Sequence, residues 1–301
     1  AYRDAPGGTP LNHSQVLAKL GTVFLELGDF PAAEKTLSRL AKEHPESEAG
    51  QGALFNLARS QFETGKQKEA SASFTRVLGN VGKVSLSNLQ YIGRAMLDTG
   101  QFAPALKACV ELVARSRDKT HADYAQAQVI RANSLYRAGN AALGLKRPKD
   151  ALKYMDALLK ENPRTGFFYE IKFATAEARR QLKPPDLAGA RKDLDDIFNS
   201  RDQVLKNRAD YQLGEMWTGT KDAELVGRGV RRLREVVDLA DPAVPENLPW
   251  IEKATVAAAR AYARLGLNGD RDAMVRSYRE RFPKGKYLAG LKKLPPAEFR
   301  K

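Results

Sequence analysis

Three histidines, His13, His44 and His121, and one cysteine, Cys109, are the classical ligand and nucleophile types in this chain. One cysteine cannot close an internal disulfide, and a Cys/His zinc cluster is implausible with so few ligands. Asp193, Asp195 and Asp196 could suggest a cation site, but helical spacing spreads them around the surface, which points to a solvated face. Gly227-Arg228-Gly229 comes nearest to a phosphate-cradling glycine loop, yet it lies inside a helical pattern rather than after a strand. No GxSxG, P-loop, HExxH or CxxC occurs. The expectation is a chain without catalytic residues, cofactor or metal, and not an enzyme. The remaining chemical character is charge. Fifty Lys+Arg against 36 Asp+Glu give a net charge of +14, which favours acidic partners.

The elements that hold these residues are read from pattern. The 301 residues are 43% hydrophobic, enough for one long or two ordinary folded domains. No run approaches the roughly 18 apolar residues of a membrane span, so none is expected. The N-terminal AYRDAPGGTP lacks the basic-then-apolar order of a signal peptide. Ala1 suits a mature chain cut after a small residue, and the first residue is not a lipid-bearing cysteine.

One grammar recurs along the chain. Leu20, Gly21, Phe24 and Gly28 precede Ala33, Leu37, Leu40 and Pro45. Leu54, Leu57, Ala58 and Gly65 precede Ala70, Phe74 and Val77. Leu89, Ile92, Gly93 and Gly100 precede Ala105, Cys109 and Leu112, and Leu135, Gly139 and Ala142 precede Ala151, Met155, Leu158 and Pro163. Fainter copies place Ala178 before Ala190, Gly214 before Gly229, and Ala259 before Ala273. A mid-helix glycine costs about 1 kcal/mol relative to alanine, which is tolerable where a second helix must pass close by. Bulky residues four and seven places after each second small residue would fill the space against the next pair. Gly28, Gly65 and Gly100 are expected to end first helices. Cys109 stands where Leu37 and Phe74 stand in other copies, so it is expected as a buried small hydrophobe. Trp217 and Trp250 are expected to pack, Trp250 being the better surface-contact candidate.

This pattern resembles the tetratricopeptide repeat (TPR) from about residue 12 to 287. The resemblance implies an all-α, right-handed superhelical solenoid of about seven TPR-like antiparallel helix pairs. Residues 1–12 would form an N-terminal tail and 13–240 the first six pairs. A proline-rich linker, and candidate hinge, would follow at 241–250, the last pair at 251–287, and a tail or cap at 288–301. His44-Pro45 and Phe282-Pro283 at helix ends look like turns of bacterial cell-envelope TPR proteins. That likeness implies a periplasmic or envelope location, with the cytoplasm as the alternative.

Ligands of the TPR family usually lie along the inner face of the first helices. Threading this chain onto that face places Thr22, Arg59, Arg94, Asn140, Arg179, Glu215 and Arg260 in successive pairs. Phe55, Asn56, Tyr91, Tyr136, Arg137 and Tyr211 stand beside them. The expected binding set is Phe55, Asn56, Arg59, Tyr91, Arg94, Tyr136, Asn140, Arg179, Tyr211 and Arg260. Guanidinium groups hold carboxylates bidentately, and aromatic rings give rigid contact area. The resulting expectation is a non-enzymatic scaffold binding an acidic or extended peptide segment of a partner protein. Against it stands pairing of these arginines with Glu26, Glu63, Asp98 and Glu215. Two other functions compete: nucleic-acid binding through Arg228, Arg231, Arg232 and Arg234, and service as the recruiting part of a larger enzyme. Self-association through the last pair, around Val275, Tyr278 and Phe282, is set against capping by the tail.

Overall fold

The computed structural model describes residues 12–45, 47–291 and 293–294. The expected N-terminal tail up to residue 11, Glu46, and the end of the C-terminal tail from Pro295 lie outside the described residues. Two compact units form, 1–163 and 164–301. The first holds α1 (His13–Glu26), α2 (Phe30–Glu43), a short α3 (Glu48–Gly52), α4 (Leu54–Glu63), α5 (Gln67–Val77), α6 (Leu86–Asp98), α7 (Phe102–Arg115), α8 (Tyr124–Gly144) and α9 (Pro148–Glu161). The second holds α10 (Phe168–Gln181), α11 (Leu187–Asp195), α12 (Gln203–Thr218), α13 (Ala223–Leu239), α14 (Leu248–Arg264), α15 (Asn268–Arg281) and α16 (Leu288–Leu291). No strand occurs among the described residues. The pairs α1/α2, α4/α5, α6/α7 and α8/α9 fill the first unit, and α10/α11, α12/α13 and α14/α15 the second. Within each unit successive pairs stack, as in a helical solenoid.

The small residues sit where the two helices of a pair cross. A Cβ placed on Gly21 would lie 2.4 Å from Leu37 Cδ2, on Gly93 2.8 Å from Cys109 Sγ, and on Gly139 2.6 Å from Met155 Cε. In the sixth pair two backbones touch. A Cβ on Gly229 would lie 2.8 Å from the Gly214 carbonyl oxygen, and one on Gly214 2.9 Å from that of Gly229. Ala33, Ala70, Ala105, Ala151 and Ala190 are buried as expected of the second-helix small residue. The seventh pair departs from this register. Ala273 is only half-buried, and Met274 and Tyr278 carry the buried row instead.

The turns within pairs share one closure. Gly28, Gly65, Gly100 and Gly266 have φ between 72° and 78°, a left-handed conformation that glycine adopts without Cβ strain. The next amide then reaches back to close the helix, as Asp29 N to Phe24 O and Gln101 N to Met96 O. In the fourth pair Lys146, at φ 58°, takes the glycine's place, and Arg147 N still bonds Ala142 O. The proline-rich segment at 241–250 is tied down by a buried amide pair. Asn207 Nδ2 donates to Asn247 Oδ1 at 2.9 Å, and Asn247 Nδ2 donates to the Asp241 carbonyl at 3.0 Å.

Two glycines in α13 give opposite expectations. Nothing lies within 4 Å of a Cβ on Gly227, so Gly227→Ala should raise stability by about 0.5–1 kcal/mol. Gly229→Ala, two residues on, should lower it by about 1–3 kcal/mol through the clash with α12. Urea midpoints of the two variants give the signs. Burial pushes the Cys109 thiol up to about 12, so the native chain holds almost no thiolate at pH 8. Labelling of Cys109 by a disulfide reagent should therefore run roughly a thousandfold slower in buffer than in denaturant.

Candidate functional site: the first-helix face of the first unit

Helix α8 is the longest of the first unit, and two buried arginines seat its N-terminal half. Arg115, only 3% exposed, spends all five N–H donors. Nε bonds Glu111, Nη1 bonds the Val84 carbonyl and Asp123, and Nη2 bonds the Val81 and Gly82 carbonyls, all at 2.8–3.1 Å. Arg131 makes a bidentate pair with Glu161 at 2.6 and 2.7 Å and also donates to Val113 O and Ser116 Oγ. Sequence reasoning missed both. The signal was an arginine on the buried row shared with Ala127, Leu135 and Ala138.

On the opposite side of this scaffold, α4, α6 and α8 present the expected face. Tyr91 is its hub. Its ring lies 5.7 Å from Phe55, 6.1 Å from Phe62 and 6.0 Å from Phe74. The Arg59 guanidinium sits 5.6 Å from the same ring's centroid, within cation–π reach. Burial first, then the Glu63 carboxylate, pushes the Tyr91 phenol well above its usual range. The phenol therefore stays protonated and donates to Glu63 Oε1 at 2.7 Å. This bond takes one oxygen of the carboxylate four residues along α4 from Arg59.

Arg59 forms no ion pair among the described residues, and its Nε is buried without a hydrogen-bond partner. Arg94 is exposed, Arg137 half-buried, and neither has a carboxylate partner among the described residues. The two line an open cleft of about 310 Å³ between α6 and α8, together with Ser87, Gln90 and Tyr91. Phe55 is half-buried against Phe74 and Tyr91. Asn56 Nδ2 bonds Thr22 Oγ1 at 3.3 Å, linking α1 to α4. Asn140 turns back to the carbonyl of Tyr136 at 3.0 Å, and Tyr136 is half-buried beside it.

The second unit arranges the same residue types differently. Arg179 is bound within its own pair, to Asp186 and Asp193 at 2.9 Å each. Arg180 instead reaches Glu215 on the next first helix at 3.5 Å, while Glu177, one turn back on its own helix, lies at 3.3 Å. Tyr211 donates to Glu215 at 2.9 Å and packs 5.8 Å from Trp250. Lys253 lies 4.5 Å from the Trp250 ring centroid, and Arg208 stacks 3.7 Å from that of Phe173. Arg260 is exposed. Of the members named from sequence, Phe55, Arg59, Tyr91 and Arg94 therefore gather on one face with Arg137, whereas Arg179 is consumed by aspartates of its own pair.

Comparison with known proteins identifies the fold. Models of the tetratricopeptide repeat match residues 18–83 and 133–165. A crystal structure of a tetratricopeptide-repeat protein from Parabacteroides merdae aligns over 93% of this chain and 96% of its own, with a TM-score of 0.52 and 16% identity. Residues 18–83 and 133–165 are tetratricopeptide repeats. The matched segments fall on the pairs α1/α2, α4/α5 and α8/α9, where the small and bulky residues keep their regular order. A second aligned structure, from a functional characterisation of pilF of Pseudomonas aeruginosa, covers 93% of this chain and 96% of its own at 14% identity and a TM-score of 0.37. No curated protein gives a significant sequence match. No helix among the described residues is long and apolar enough to cross a membrane.

Arg115→Lys keeps the charge but supplies three donors on a flexible stem in place of a five-donor fork. It should leave at least two of the five partners of Arg115 without their hydrogen bond, at about 1–3 kcal/mol for each buried one. The expected result is a lowered thermal midpoint and a weakened α8, read by circular dichroism and hydrogen exchange of residues 124–131.

Proposed function

We infer that this chain, like other tetratricopeptide arrays, serves as a protein-binding scaffold. We propose that the chain binds an extended acidic peptide segment of a partner protein on the α4/α6/α8 face of the first unit. The supporting observation is that Arg94 and Arg137 line an open cleft and Arg59 stacks on its Tyr91 wall, none of the three with a carboxylate partner among the described residues. On α13 three of the four clustered arginines are paired, and Arg231 has no ion pair among the described residues. Arg228 pairs with Glu224, Arg232 with Asp210 and Glu235, and Arg234 with Asp238. That pairing weakens the competing nucleic-acid surface on α13.

In this proposal Arg94 and Arg137 grip the carboxylates, with Ser87 and Gln90 as neutral partners. Tyr91, with Phe55 behind it, supplies the rigid apolar wall. Arg59 is pre-positioned by its stacking on Tyr91, so little side-chain entropy is lost on binding. Placement of the scaffold in a bacterial envelope complex belongs to the same proposal and rests only on the texture of the helix-ending turns.

The test uses an array of acidic peptides, followed by fluorescence anisotropy on the best binder. Each charge-assisted hydrogen bond contributes about 1.5–3 kcal/mol. Combined Arg59→Ala, Arg94→Ala and Arg137→Ala should therefore weaken binding at least a hundredfold, while Arg179→Ala leaves affinity unchanged. Equal affinity of the triple variant would refute the site. Preference for a single-stranded oligonucleotide over every peptide, with a steep salt slope, would favour the competing function.

A further inference from the structure

The open end of the first helix pair brings together three side chains that lie far apart in sequence. His13 is the first residue of α1, Glu43 the last of α2, and His44 the residue that caps α2. His13 Nδ1 and His44 Nε2 are 3.1 Å apart, and His13 Nδ1 is 3.8 Å from Glu43 Oε2. One ligand atom from each residue falls within 4.8 Å of the others. The rings meet nearly edge to face, with centroids 5.2 Å apart and planes inclined at 76°.

The geometry points to a divalent-metal site here, of the two-histidine, one-carboxylate kind that suits Zn²⁺. Two imidazole nitrogens about 2.0–2.1 Å from a common zinc ion stand roughly 3.3–3.4 Å apart at the tetrahedral angle, and the observed 3.1 Å is reached with that angle closed to about 100°. Without a metal, one proton must be shared between the two facing nitrogens. A Zn²⁺ ion takes lone pairs from both. The carboxylate is prepared for the same task. Arg39 Nε holds Glu43 Oε1 at 2.8 Å, leaving Oε2 toward the histidines, and orientation of a ligating carboxylate by such a hydrogen bond is usual in metal sites. Arg39, ahead of every other influence, also holds the Glu43 carboxyl below the ordinary carboxylate range. His13 and Glu43 are exposed and His44 half-buried, so an ion can enter and water can complete its coordination.

Such an ion would clip the start of α1 to the end of α2. It would close a loop of 31 positions at the one end of the pair that the Gly28 turn does not hold. The inference does not depend on peptide binding, since the site shares no residue with the α4/α6/α8 face.

The test is isothermal titration of ZnSO₄ into the tag-free full-length chain, first stripped with chelator and dialysed. Thermal midpoints with and without zinc accompany it. One equivalent should bind saturably and raise the midpoint. His13→Ala and His44→Ala should each weaken binding at least tenfold and abolish the thermal shift, and Glu43→Gln should weaken it by a smaller factor. His121→Ala serves as the control, since His121 lies outside this trio, beside Asp118 and Asp123; it should bind as the parent does. Circular dichroism of the surface variants confirms that they fold. No saturable binding, undiminished binding by His13→Ala, or loss of binding in His121→Ala would each overturn the assignment.

Discussion

Everything in this chain rests on how closely two helices can cross. Where Gly21 meets Leu37, Gly93 meets Cys109 and Gly139 meets Met155, the absent side chain on one helix is the space that the other fills. Helix propensity opposes a glycine at such a position by about 1 kcal/mol. Burying a leucine or methionine side chain contributes about 1.5–3 kcal/mol, so packing wins. The sixth pair carries this to its limit, with Gly214 and Gly229 in backbone contact. Once each crossing is fixed, the faces of the first helices follow, and with them the side chains that a ligand could meet.

Charge is distributed over those faces unevenly, and tyrosines do much of the sorting. In the first unit Tyr91 engages Glu63, and Arg59 stacks on the same ring without an ion pair among the described residues. In the second, Tyr211 also engages a glutamate, Glu215, but Arg180 reaches that same carboxylate. Arg179 in turn is paired with Asp186 and Asp193. Because desolvated cations are costly unless matched, the first arrangement is stable only while its arginines stay near water or near an acidic partner.

The fold was legible because glycine, alanine and bulky residues obey strict spacing, and steric rules are local. Seven pairs could be counted that way, including those whose turns lack glycine. Register failed in α15, where Ala273 is half-buried and Met274 takes the inner row; its arginine-rich sequence gives a weak apolar period to read. Site geometry was harder. Arg59 and Arg94 fell on the face that threading gave them, but Arg179 turned to Asp186 and Asp193. Whether an arginine finds an acid depends on rotamers and neighbours distant in sequence, as does the meeting of His13 with His44 across 31 positions. Arg115 and Arg131 were missed for the same reason, since their partners lie elsewhere in the chain, on α7, on α9 and in the segment at 81–84.

The crossing geometry bears on how such a chain can be recombined. Gly21 and Leu37, Gly93 and Cys109, and Gly139 and Met155 are all separated by the same number of positions, whereas Gly214 and Leu233 stand three further apart. The first, third and fourth pairs are thus cassettes cut to a common gauge, open to exchange or duplication with their knob and socket intact. The sixth is a bespoke joint that would have to be moved whole, together with its longer connecting turn.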